Sequence, residues 1–140
     1  EDVQFLVVAG RNGDLEKALH EVAKTHPGTV TPYGFVTNMH ELMAASDFMV
    51  TKCGGLTSSE CLAMGLPMVI VKPIPGQEER NAEFLLESGA AVRANSLAHV
   101  VYKVRRLLDA PRRRRAMRAA ARNAGRPRAA ETIIRTLAEA

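Results

Sequence analysis

With 140 residues, 46% apolar and 24% charged, the chain is sized for one globular domain and is too hydrophobic to be disordered. Its best apolar run, Cys61 to Val71, is cut by Gly65 and Pro67, and its two cysteines build neither a disulfide framework nor a zinc set; a membrane span, a disulfide scaffold and a large self-contained enzyme are excluded. The net charge of +4 is uneven: twelve Arg and Lys against three acids give residues 101–140 a net +9, leaving −5 on the first 100.

Val3 to Ala9 is a short β-branched run ending at Gly10 and predicts a strand buried on both faces. After Gly10-Arg11-Asn12-Gly13, the apolar residues Leu15, Ala18, Leu19, Val22 and Ala23 recur at helical spacing. A strand near Val30 to Phe35 follows, and Asn38 is placed to cap a short helix through Met39 to Ala45. Phe48 to Thr51 reads as a third strand, Thr57 to Met64 as helix, Met68 to Val71 as strand, Gln77 to Glu87 as helix, and Ala90 to Val92 as a last strand. Three helices close the chain, from Ser96, from Pro111 at a first-turn position, and after Gly125-Arg126-Pro127.

Strands alternating with single helices define an α/β class with a parallel sheet. The expected organisation is a single domain over 1–140, with an α/β core at 1–95 and basic helices at 96–140. No secretory signal opens the chain, and reduced thiols are expected, which points to the cytoplasm. Ligands of such sheets sit beyond the carboxyl ends of the strands, so four loops are candidates: Gly10 to Gly13, Gly34 to Asn38, Lys52 to Glu60 and Lys72 to Asn81.

Lys52-Cys53-Gly54-Gly55-Leu56-Thr57-Ser58-Ser59-Glu60 is the most informative of these. Paired glycines let backbone approach a ligand, and the helix behind them offers free N–H groups and a positive dipole end, a seat for a diphosphate. Thr57-x-x-Glu60 is equally a capping box, so Glu60 stands between cap and ligand. Neither a Walker loop nor a Gly-x-Gly-x-x-Gly fingerprint is present. Pro73 to Asn81 presents amides and carboxylates on a stiff loop, suited to sugar hydroxyls or simply to a solvated first turn. Its acids alone make a weak metal site. Gly34 to Met39 offers Phe35 to a flat base or to the core, and Arg11-Asn12 a cation or a plain turn. The four histidines have no ligand-like spacing, and Cys53 lacks a histidine partner.

The blocks GRNG, YGFVTNMHELMAASD and TKCGGLTSSECLAMGLPMVIVKPIPGQEERNAEFLLESGAA resemble the C-terminal lobe of GT-B glycosyltransferases over residues 3 to 95. In particular they resemble the monogalactosyldiacylglycerol synthase and processive diacylglycerol glucosyltransferase group, which is related to the MurG-type enzymes. The resemblance implies a Rossmann-like parallel sheet flanked by helices and transfer of a hexose, galactose or glucose, from a UDP-sugar to diacylglycerol or another lipid acceptor. The UDP-sugar is then a substrate; no cofactor and no metal are implied. Gly54, Gly55, Leu56 and Thr57 would meet the diphosphate and Glu60 the ribose. Phe35, Val36 and Met39 would frame the uracil; Gln77, Glu78 and Asn81 would hold the sugar; Arg11 and Asn12 would line the cleft. Cys53 stands where the group usually has Pro.

The resemblance also implies a lobe whose first βα unit has no counterpart here, and an N-terminal lobe that supplies the acceptor site and catalytic base. The chain is therefore expected to be a fragment, with the strands at Val3 and Phe48 lacking the neighbour that belongs between them. Such a gap closes by rearrangement or by strand exchange in a homodimer. A MurG-like or other GT-B transferase with a different acceptor is the enzymatic alternative. The alternative of another class is a basic module, in which Arg112 to Arg128 meet an anionic membrane surface. The scarcity of aromatics, none after Tyr102, argues against nucleic acid.

Overall fold

The computed structural model describes residues 3–139, gathered into two compact units that meet in sequence between Leu42 and Met43. The first unit is a parallel βαβ: β1 (Phe5–Val8), α1 (Gly13–Thr25) and β2 (Val30–Tyr33), with Phe5 opposite Val30 and Val8 opposite Tyr33. The ladder continues one step further, the Ala9 amide donating to the Tyr33 carbonyl at 2.8 Å. Pro32 lacks a ladder donor, which suits β2 as an edge strand. No described residue before Met43 is fully buried, as expected of a unit of about 40 residues. Helix α2 (Met39–Ala45) carries the chain across the boundary.

The second unit holds β3 (Met49–Thr51), α3 (Gly55–Met64), β4 (Met68–Val71), α4 (Gln77–Glu87) and β5 (Ala91–Ala94). Helices α5 (Leu97–Leu108), α6 (Pro111–Ala124) and α7 (Ala129–Ala138) follow. Its sheet is parallel in the order β3-β4-β5, with Met49 opposite Met68 and Met68 opposite Ala91. β4 lies at the centre, so Met68, Val69 and Ile70 are all sealed from solvent. On one side Val69 packs with Val92, Ala94, Leu107 and Met117. Cys61, Leu62 and Leu85 are buried as well.

Among the described residues β1 pairs only with β2, and β3 only with β4, so each keeps one edge without a strand. Several boundaries differ from the sequence reading. β1 is Phe5–Val8 and not Val3 to Ala9, and its residues are exposed or half-buried where burial on both faces was expected; β2 ends at Tyr33 and not Phe35, and β3 starts at Met49 and not Phe48. α3 begins at Gly55 and not at Thr57, and β5 runs from Ala91 to Ala94, two residues beyond Val92.

Helices α3 and α6 approach closely where α6 ends. A β-carbon on Gly125 would fall 2.6 Å from the Leu62 carbonyl oxygen, a backbone atom that cannot swing aside. Gly125→Ala is therefore expected to destabilise the second unit by about 1–3 kcal/mol, an overpacking cost read as a lower denaturation midpoint in urea. An unchanged midpoint would mean that this contact relaxes freely.

Candidate functional site

The Cys53–Glu60 segment leaves the carboxyl end of β3 and turns at once into α3. Gly54 is the N-cap residue, extended at φ −62° and ψ 148°, and no side chain caps the helix. The first intrahelical bond runs from the Ser58 amide to the Gly54 carbonyl at 2.9 Å, so the amides of Gly55, Leu56 and Thr57 precede the ladder. Thr57 lies inside the first turn, and the Thr57–Glu60 capping box is not formed. This removes the bland explanation for both residues. No acid occupies the first turn, Leu56 is 84% exposed, and Glu60 projects to solvent. The resulting helix end has free donors and the positive pole of its dipole, the local chemistry of an anion seat. Ser58 does not contribute an outward hydroxyl: it is buried, and its Oγ has no partner among the described residues.

The second loop leaves β4 and enters α4 through Gly76, whose φ of 101° a side chain would resist. Three bonds organise this loop and fasten it to the first. The Ile74 amide donates to Glu78 Oε2 at 2.7 Å, the Cys53 thiol donates to the Glu78 carbonyl at 2.9 Å, and Asn81 Nδ2 donates to the Cys53 carbonyl at 2.8 Å. Glu78 and Asn81 thus spend one polar atom each on the loops and keep Oε1 and Oδ1 uncommitted. Gln77 is exposed at the first helical position, and its side chain makes no bond among the described residues. Glu79 pairs with Arg93 of β5 at 2.6 Å, and Arg93 Nε donates to Asn95 Oδ1 at 3.0 Å, which ties α4 to the sheet.

Two residues of this region escaped the sequence reading. Lys72, exposed at the end of β4, has φ +38°, the one non-glycine residue with positive φ among those described. Since it precedes Pro73, where extended backbone is the rule, its sequence gave no sign of this. Arg93 had a weak signal, a lone cation in the otherwise apolar run Ala90 to Ala94.

Burial pushes the Cys53 thiol upward, and the carboxylates of Glu78 and Glu79 add to the shift, against its backbone hydrogen bond and Arg93. Burial, aided by Glu60, pushes Cys61 from 9.0 up to about 12. Burial thus favours the protonated, less nucleophilic form of both thiols.

In the first unit the Arg11 guanidinium lies 4.8 Å from the centre of the Phe35 ring, which is 61% exposed. Val36 and Met39 are half-buried beyond it. Asn12 caps α1, its Oδ1 accepting from the Leu15 amide at 3.0 Å. Asn38 donates from Nδ2 to Glu41 Oε2 at 2.6 Å. Phe35 therefore stays out of the core, and Arg11 is held against it. Among the described residues no group of three or more His, Cys, Asp or Glu is placed to hold a metal ion.

The fold is shared with solved glycosyltransferases. The chain superposes over its whole length on 45% of Acinetobacter baumannii MurG, at TM-score 0.76 and 20% identity. It superposes over 86% of its length on 33% of WaaG, a glycosyltransferase involved in lipopolysaccharide biosynthesis, at TM-score 0.67 and 20% identity. The glycosyltransferase family 28 C-terminal domain matches residues 1–133, and the chain belongs to this family. Similar proteins include the processive diacylglycerol beta-glucosyltransferases of Bacillus pumilus, 33% identical over 99% of the chain, and Bacillus licheniformis, 38% identical over 77%. The chain spans about a third of the length of these relatives, 36% and 28% respectively.

The Cys61 shift has a consequence for stability. The folded thiol keeps its proton until about pH 12, whereas the unfolded one ionises from about 9. Its contribution is complete below pH 9 and declines as pH rises through that window. Denaturation midpoints measured from pH 8 to 11 are expected to fall more steeply for the wild type than for Cys61→Ala. Parallel slopes would remove Cys61 from the alkaline response.

Proposed function

We propose that the chain is the nucleotide-sugar-binding portion of a transferase that moves a hexose from a UDP-sugar to diacylglycerol. The observation that carries this reading is the uncapped N-terminus of α3 behind Gly54-Gly55, fastened to the polar loop that opens α4. Gly54, Gly55, Leu56 and Thr57 take the diphosphate, Glu60 the ribose hydroxyls, and Gln77 with the uncommitted atoms of Glu78 and Asn81 the sugar hydroxyls. Phe35, Val36 and Met39 of the first unit are assigned to a flat base; the exposed ring of Phe35 supports this, and Arg11 and Asn12 are assigned to the cleft. Membership of the family and the names of the relatives support glucose and diacylglycerol over a MurG-like acceptor.

The reaction is a direct displacement at the anomeric carbon. The acceptor oxygen forms the new glycosidic bond as the bond to the UDP oxygen breaks. Negative charge that gathers on the departing diphosphate is met by the amides and dipole of α3, which are already oriented and need no reorganisation. The acceptor-activating base is not among the residues assigned here.

Isothermal calorimetry tests the assignment. Glu60→Ala is expected to weaken UDP about tenfold, and Gln77→Ala to weaken UDP-glucose while leaving UDP unchanged. A folded chain that binds neither ligand would overturn the reading.

We also infer contact with an anionic lipid surface. Arg112, Arg113 and Arg115 are exposed at the start of α6, whose first turn carries no acid. Arg114, Arg115 and Arg118 line a cavity of about 310 Å³ with Asp47 and Pro111. Binding to vesicles containing phosphatidylglycerol is expected to fall steeply between 50 and ~300 mM salt and to be absent on neutral vesicles. Salt-insensitive binding, or none, would exclude an electrostatic membrane contact.

A further inference from the structure

We infer that Asn81 is a positioning residue for the diphosphate seat, acting through Cys53, and not chiefly a ligand of the sugar. The inference rests on the nucleotide-sugar reading above and concerns how that site is held in shape.

Cys53 is the last residue before the Gly54-Gly55 turn and is wholly sealed from solvent. Its thiol and its carbonyl are both taken by the first turns of α4, the thiol by the Glu78 carbonyl and the carbonyl by Asn81 Nδ2. The glycines that follow have no side chains to hold them, and open space surrounds the positions their β-carbons would take. The Cys53 carbonyl shares its peptide plane with the Gly54 amide, the peptide that leads into the N-cap of α3, so the placement of the Gly54-Gly55 turn depends on how that plane is held. Asn81 fixes that plane. Without the amide donor the buried carbonyl would lose the bond that Asn81 supplies, a state that drives local rearrangement.

Asparagine is a poor choice for a helix interior, yet Asn81 sits in the second turn of α4, where its cost is offset only by what its side chain does. What it does is bridge 28 residues of sequence to the neighbouring loop. The same helix is anchored to β5 by Glu79 and Arg93, so the bridge ends on the sheet and not on a free loop.

The two roles of Asn81 separate cleanly. A residue that only touches sugar affects UDP-glucose and leaves UDP alone. A residue that sets the diphosphate seat affects both. Asn81→Ala is expected to weaken UDP about fivefold, the scale of one net hydrogen bond, and UDP-glucose by at least that factor. It is also expected to raise the rate at which a thiol reagent modifies Cys53 by about tenfold or more, with Cys61 as the internal control for global opening. Asn81→Asp, which keeps the volume and removes the donor, should unmask Cys53 in the same way. Loss of affinity confined to UDP-glucose would make Asn81 a sugar ligand and overturn the inference. So would a Cys53 that stays masked in both variants, or one that opens only together with Cys61. If the wild type binds no UDP, the functional reading fails by itself, and the thiol measurement still decides whether Asn81 holds Cys53.

Discussion

The burial of β4 on both faces governs the second unit. Met68, Val69 and Ile70 have no exposed surface, and a strand can be sealed in this way only if neighbours lie on both edges and helices on both sides. Parallel neighbours follow from crossover helices, and parallel strands deliver all their outgoing loops to one end. The Cys53 loop and the Lys72 loop leave adjacent strands at the same rim for that reason. Their adjacency, and hence the bonds from Asn81 and Cys53, is a product of core packing. The candidate site needs no further device to bring its two halves together.

Helix α4 was legible to the residue, because Gly76 breaks the chain and a periodic apolar face starts directly after it. The capped start of α5 at Ser96 and the Pro111 start of α6 were equally plain, since each rests on a local stereochemical signal. The start of α3 was not. Thr57 and Glu60 fit a capping box, but the Gly54-Gly55 pair allows the helix to begin two residues earlier, and the spacing alone cannot decide between them. The extension of β5 to Ala94 rests on its ladder with β4, a partner in another element, with Ile70 opposite Arg93 and Val71 opposite Ala94. Bonds spanning 25 and 28 residues, such as those of Cys53, leave no trace in local pattern. Local chemistry was therefore readable, and long-range fastening was not.

The two units differ in how far they satisfy themselves. The second has a sealed strand, a helix pair in close contact and an ion pair between α4 and β5. The first is a single βαβ in which Phe5, Leu15 and Val22 all remain more than two-fifths exposed. A parallel pair of four-residue strands buries too little apolar surface to offset the entropy of ordering its chain. Among the described residues no strand pairs with the other edge of β1, the liability that sheets ordinarily cover or pair. The open edges of β1 and β3 are the places where added strand would contribute most, by hydrogen bonding and by burial together.

An anion seat built from a helix end must leave its donors unpaired while the ligand is away, and that has a structural cost. In α3 the cost is contained by keeping the first turn exposed, so water satisfies the amides of Gly55, Leu56 and Thr57 until an anion replaces it. Glycines there allow close approach but give the turn no stiffness of their own. Stiffness has to come from outside the turn, and the structure supplies it one residue upstream, where Cys53 is buried and bonded through its thiol and its carbonyl. The division is physically sensible: the residues that would touch the ligand stay small and mobile in side chain, and the residue that aims them is locked in the core. Capping by Thr57 would have satisfied a donor and blocked the seat, which is why a helix poised for an anion gains by starting early.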